Sequence, residues 1–167
     1  MIKKFLLFAL LMFPVLSFAQ ESQKIAYVKY QDVILSMPEY RLMIDSLQKS
    51  EQELQNEINI ISDEYTKKLS EFVEQQESMS ESIKIRRREE LNGIQERAQN
   101  FQIQAQQLQE ELQRSLFTPI QNKFQKAVED VGAENNFLYV FDSQVMLFIS
   151  PTATDATPLV KKKLGIQ

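Results

Sequence analysis

From Tyr40 onward the chain repeats apolar side chains in alternating steps of four and three residues. Tyr40, Ile44, Leu47, Leu54, Ile58, Ile61, Tyr65, Phe72 and Met79 fill nine of twelve such positions; Glu51, Lys68 and Gln75 fill the others. A spacing of 3.5 residues kept over nearly six heptads is the seam of a coiled coil rather than the broader face of a globular helix. A second seam runs through Leu91, Ile94, Ala98, Phe101, Ala105, Leu108 and Leu112, and the residues between them are mainly Gln, Glu, Arg and Asn. Two consecutive seams of similar length predict an antiparallel helical hairpin over 39–118, bracketed by Pro38 and Pro119. Its tip falls in the polar, helix-weak patch Ser78–Ser82. Arms of about 40 residues reach roughly 60 Å. Gly93 weakens the returning helix by about 1 kcal/mol relative to alanine and is a candidate flexible point.

The flanking segments, 20–38 and 119–167, read differently. Lys24–Tyr30 is rich in β-branched and aromatic residues and predicts a strand; Gln31–Met37 reads as a short helical turn or loop. Pro38 keeps Met37 out of helix and suits the first turn of the long helix after it. Pro119 removes one backbone donor and predicts a kink where the hairpin joins the rest. Beyond it Ile120, Phe124, Val128 and Val131 form a new apolar stripe, with Gly132 as its stop. Phe137–Phe141 and Val145–Ile149, joined by Asp142-Ser143-Gln144, predict a β-hairpin. Thr157-Pro158 caps a last short helix that ends at Gly165, with Lys161, Lys162 and Lys163 near its C-terminus. The fold class is therefore α+β, mostly α. The sheet-bearing part has only about 65 residues, a marginal core for a monomer. Three strands also leave two open edges. An oligomer closing strands between copies answers both problems, and Ile25, Tyr27, Phe137, Tyr139, Phe141 and Phe148 are the candidate residues of that contact.

Composition excludes much else. The chain has no cysteine and no histidine, so disulfides, thiolate sites and histidine bases are impossible. No cofactor or metal site is expected, and no glycine-rich phosphate loop occurs. Acidic pairs such as Asp63-Glu64 and Glu89-Glu90 lie on polar helix positions, where adjacent residues do not face one another. No enzyme is expected. Residues 1–19 carry Lys3 and Lys4, a nine-residue apolar run from Phe5 to Phe13, and small residues at Ser17 and Ala19. This is the pattern of a cleaved secretory signal, too short to span a bilayer. Removing its two lysines from 19 basic residues leaves 17 against 23 acidic ones, a net charge of −6. That argues against binding nucleic acid or an anionic membrane by bulk charge.

Lys24-Ile-Ala-Tyr-Val, the paired helices, Pro119-Ile120 through Lys123, Phe137-Leu-Tyr-Val-Phe-Asp142 and the closing Asp155-Ala-Thr-Pro to Leu164 together resemble the Skp (OmpH-like) family of periplasmic chaperones. The resemblance implies a homotrimer whose strands form one central body and whose helical hairpins surround a cavity. It implies a periplasmic, ATP-independent holdase for unfolded outer-membrane β-barrel proteins. Scattered apolar groups such as Met43 and Met79 are candidate client contacts. The family type is strongly basic and this chain is acidic, which puts attraction of clients by bulk charge in doubt. One basic cluster stands past the expected tip: Lys84, Arg86, Arg87 and Arg88. It is a candidate contact for a client, lipid headgroups or lipopolysaccharide; the alternative is a solvated helix face neutralised by Glu81, Glu89 and Glu90. The competing function is a coiled-coil spacer that binds a folded partner in the cell envelope.

Overall fold

The computed structural model describes residues 24–166. The proposed signal, residues 1–19, lies outside them. The elements run β1 (Lys24–Val28), α1 (Tyr30–Ser36), α2 (Pro38–Gln75), α3 (Glu81–Asn135), β2 (Phe137–Asp142), β3 (Thr154–Asp155) and α4 (Thr157–Leu164).

Local chemistry sets most of these boundaries. Met37 is extended (φ −72°, ψ 130°) because the ring of Pro38 disfavours helix before it, and Pro38 then opens α2. Helix α2 runs 38 residues, with no glycine and no proline after its first position. Residues 76–80 turn the chain, and Ser80 (φ −69°, ψ 156°) hands it to α3. That helix continues for 55 residues, unbroken through Pro119 and through Gly132. Gly132 therefore does not stop it. The stop lies four residues on, at Asn136, which adopts the left-handed conformation (φ 54°, ψ 42°) and returns its N–H to the Ala133 carbonyl. Helix α4 ends as its sequence suggests, on Gly165 at φ 73°. Its first turn is capped differently: the Asp155 carboxylate accepts the Thr157 N–H at 2.8 Å, while the Thr157 hydroxyl accepts the Lys29 N–H at 2.9 Å.

The sheet has the order β2-β1-β3, and both pairings are parallel. Ile25 lies opposite Tyr139 and Tyr27 opposite Phe141; on the other side Ala26 meets Thr154 and Tyr27 meets Asp155. The predicted β-hairpin is thus corrected. Val145–Ile149 forms no strand: Ser143–Val145 is a single 3₁₀ turn, and the chain continues irregularly to Thr154. Strand β1 is central, with β2 on one side and the polar pair Thr154-Asp155 on the other; among the described residues the outer edge of β2 stays free, and the apolar run pairs with no strand.

Ala26 and Val28 point from the sheet to Val33, Ala127, Val131, Ala156 and Val160, all buried. A second cluster, Ile34, Met37, Met43 and Ile120, closes the root of the helical pair, with Leu116, Phe117 and Leu47 packed around it. Phe124, Leu164 and Ile166 touch both clusters, and Tyr30 stands edge-on to Phe124 at 5.0 Å. Met37 is fully buried at the junction of α1, α2 and α3. Met37→Ala should lower the free energy of unfolding by about 2–5 kcal/mol, read as a shifted urea midpoint; a shift under a fifth of that would mean that the root is not a packed core.

Candidate functional site

Helices α2 and α3 pack along the predicted seams. Every apolar position of the first seam is buried or half-buried, Ile61 most of all. In the second, Leu91, Ile94 and Ala105 are buried and Ala98, Phe101 and Leu112 half-buried. Leu108 is the exception and a correction: it is 55% exposed, and Gln109 takes its place against α2. The helix turns every 3.6 residues, so two successive steps of four, from Phe101 to Ala105 to Gln109, keep the contact in line where strict alternation does not. Gln109 donates only a long 3.5 Å bond to the Leu47 carbonyl, and its own amide oxygen is buried without a partner.

Polar pairs tie the two helices from root to tip. Lys123 pairs with Glu39 at the root, Arg97 with Glu64 midway, and Lys68 of α2 with Glu90 of α3 farther out. Arg87 adds a second cation to Glu90 at 2.8 Å, and the Gln95 amide donates to the Tyr65 hydroxyl at 2.9 Å. The bond from Lys123 holds the Glu39 carboxyl below its ordinary range, and the bonds from Lys68 and Arg87 do the same for Glu90.

The candidate contact residues separate on this scaffold. Met43 is corrected: at 5% exposure it belongs to the root core. Met79 lies half-buried in the tip turn. In the basic cluster, Lys84 pairs with Glu81 at 2.9 Å and Arg87 with Glu90; Arg86 and Arg88 stand exposed, in no ion pair among the described residues. The seam pattern implies helix faces nearly free of apolar groups elsewhere, and the structure adds several there. Leu42, Ile60, Leu69 and Val73 of α2 are exposed, as are Ile83, Ile85 and Ile103 of α3 beside Leu108. They sit off the seam, so periodicity hides them; apolar residues at positions that the seam does not use are the signal. Leu42 also borders an apolar groove of about 420 Å³ at the root, walled by Leu116, Pro119 and Ile120 and ended by Glu39 and Lys123.

The sheet presents a second apolar surface. Ile25, Tyr139 and Phe141 project from its uncovered face and are exposed; Tyr27 on the same face is half-buried. Tyr139 and Phe141 stack tilted with ring centres 5.7 Å apart. Phe137 points the other way and packs on the sheet's core. In the irregular segment after β2, Leu147 is completely exposed and Phe148 is 77% exposed. Among the described residues no cluster of acidic side chains is placed to hold a metal, and no helix is long and apolar enough to cross a membrane.

A long antiparallel helical pair rooted in a small parallel sheet with one bare face defines a class of architecture. The sequence places the chain within it: residues 24–164 match the family described as outer membrane protein (OmpH-like), and the chain belongs to that family. In fold it is similar to a crystal structure from Caulobacter crescentus CB15, that of an OmpH-like protein described as a candidate outer membrane chaperone. The TM-score is 0.75 at 11% sequence identity, over 84% of this chain and 82% of that one. No curated protein matches the chain in sequence.

Gln109→Leu removes an unpartnered buried oxygen and should stabilise the protein by about 1–2 kcal/mol, seen as a higher urea midpoint. An unchanged or lower midpoint would mean that Gln109 is satisfied in solution. The depressed carboxyls of Glu39 and Glu90 set a pH dependence. Each favours the folded state fully above the ordinary value of 4.5 and loses that contribution as pH falls through its lowered folded value. Stability should therefore hold steady from pH 7 to 5 with respect to these groups and decline below about pH 4.5. Glu90→Gln should make that decline shallower; an identical acid limb in the variant would disprove the assignment.

Proposed function

We propose that this protein is a periplasmic, ATP-independent holdase. Three copies join through their sheets, and the helical arms enclose a space that keeps unfolded outer-membrane β-barrel proteins from aggregating. The observation that carries this reading is the bare aromatic face of a parallel sheet. Parallel sheets are normally covered on both sides. Here α3 and α4 cover one side, while Ile25, Tyr139 and Phe141 remain in water on the other. A neighbouring copy supplies the missing layer, and the partnerless Val145–Ile149 run gains a strand to pair with.

Joined in this way, the arms stand side by side. Helix α2 alone extends about 57 Å at 1.5 Å per residue. Its exposed Leu42, Ile60, Leu69 and Val73 are spread along that length rather than gathered in one patch. A β-barrel chain before insertion exposes an apolar band and open strand edges. Distributed single contacts hold such a chain without a fixed pose, and enclosure prevents pairing between clients. Weak contacts also allow release without an energy source. The family membership and the fold of the Caulobacter protein support this reading.

The test has two readouts on the chain lacking residues 1–19: mass in solution, and light scattering when a urea-denatured β-barrel protein is diluted into buffer. The wild-type chain should run at three times its subunit mass and suppress scattering. The double substitution Tyr139→Asp with Phe141→Asp should give a monomer with retained helical circular dichroism and little suppression. A wild-type monomer, or suppression undiminished in the double variant, would refute the proposal. Binding confined to folded partners would favour a spacer instead.

A further inference from the structure

The net charge of the chain is negative, yet one groove in the sheet-bearing part collects lysines. It measures about 640 Å³ and is lined by Lys29, Lys161 and Lys162, by Asp32 and Asp155, and by the apolar surface of Pro158 and Ile166. None of the three lysines forms an ion pair among the described residues. The contrast with the next residue is informative: Lys163 turns to α3 and binds Glu134 at 2.6 Å and Asp130 at 3.6 Å. Asp155 is already engaged, since it caps α4 through the Thr157 N–H.

The groove lies where topology leaves room for a ligand. Lys29 directly follows β1, and Asp155 ends β3, so the groove opens at the carboxyl ends of two adjacent parallel strands. That end leads into the arm. Strand β1 leads through α1 into α2, and Tyr30 packs on Phe124, one residue from the Lys123 that pairs with Glu39 at the arm root. A chain end reaching past the arm root would meet the groove one short helix away.

We propose that this groove binds the terminal carboxylate of a client polypeptide together with its last apolar side chain, a role that rests on the holding function proposed above. Three lysines against two aspartates leave one positive charge in the lining. One net positive charge is neutralised one for one by a carboxylate. Pro158, Ile166 and the lysine stems give the preceding side chain an apolar wall. Asp32, exposed on the first turn of α1, is available to accept an N–H of the bound chain. Capture of one chain end would tether a client that the arms hold only diffusely.

The probe is a fluorescein-labelled ten-residue peptide of alternating polar and apolar residues ending in leucine, made as the free acid and as the amide. Anisotropy is measured with the assembled protein and with the variant carrying Lys29→Gln, Lys161→Gln and Lys162→Gln. The acid should bind at least tenfold more tightly than the amide. The preference should vanish in the variant and weaken at high salt. Equal binding of acid and amide to the wild type, with suppression of client aggregation intact, would overturn the groove assignment and leave the holding function standing. Loss of suppression by the wild type would remove the client itself and overturn both. If phosphatidylglycerol vesicles retain the wild type but not the variant, while acid and amide bind alike, the lysines serve a lipid headgroup and the proposal fails.

Discussion

Strand β1 can pair in parallel with β2 only if the chain between them travels away and returns, because two parallel strands cannot be joined by a tight turn. In this protein that crossover is the entire helical arm, from Tyr30 to Asn136. The arm is therefore not an appendage on a finished domain. The β1–β2 pairing and the pairing of the two long helices require one another, since only a matching helical register delivers Phe137 beside Lys24. The root cluster of Ile34, Met37, Met43 and Ile120 is where that register is fixed, since it clamps the start of α2 against the return of α3. Phe124, shared with the sheet's own core, passes the constraint on.

Pairing over such a length needs more than an apolar stripe. The seam supplies burial, but residues such as Ala98 and Ala105 tolerate sliding by a turn. Directional contacts do not. Lys68 with Glu90, Glu64 with Arg97, and Tyr65 with Gln95 each meet at one offset only. Exposed ion pairs contribute little stability. Their value here lies in discrimination between registers, the use best attested for polar residues in helical pairs. Gln109 belongs to the same group at a cost, because its oxygen is left unpaired.

Much of this was legible in the sequence, and the reason is physical. Helical pairing is a short-range periodic code, so the seams through Ile61 and Ile94 and the entry at Pro38 could be read from spacing and proline chemistry, and the tip expected at 78–82 overlaps the turn at 76–80. What failed depended on a partner. Val145–Ile149 has the composition of a strand, yet composition cannot say whether a backbone will be laid along an edge: a 3₁₀ turn follows β2 in place of a hairpin turn, and the free edge of β2 is not used by this run. Conversely Thr154-Asp155 has no strand signal at all and pairs because its backbone is brought alongside Ala26 and Tyr27. Leu108 and Gly132 failed for a local reason: each obeyed a rule about spacing or stopping that the uninterrupted turn of one long helix overrode. The lysine groove was invisible because Lys29 and Lys161 are far apart in sequence and meet only through the sheet.

The distribution of apolar surface arises from the same constraint. A chain that commits most of its length to a two-helix arm can bury only one stripe per helix, so Leu42, Ile60, Val73 and Ile103 stay in water whatever the core does. A third arm helix would cover them and would also fill the space beside the arm. The sheet is likewise too small to be covered twice by its own helices. Both shortfalls leave greasy surface, but of different kinds. The sheet's is flat, aromatic and contiguous around Tyr139 and Phe141, the form in which a fixed partner packs well. The arm's is sparse and interrupted by charge, so each contact with another chain is worth little alone. One surface is suited to lasting assembly and the other to transient holding, and a single crossover connection produces both.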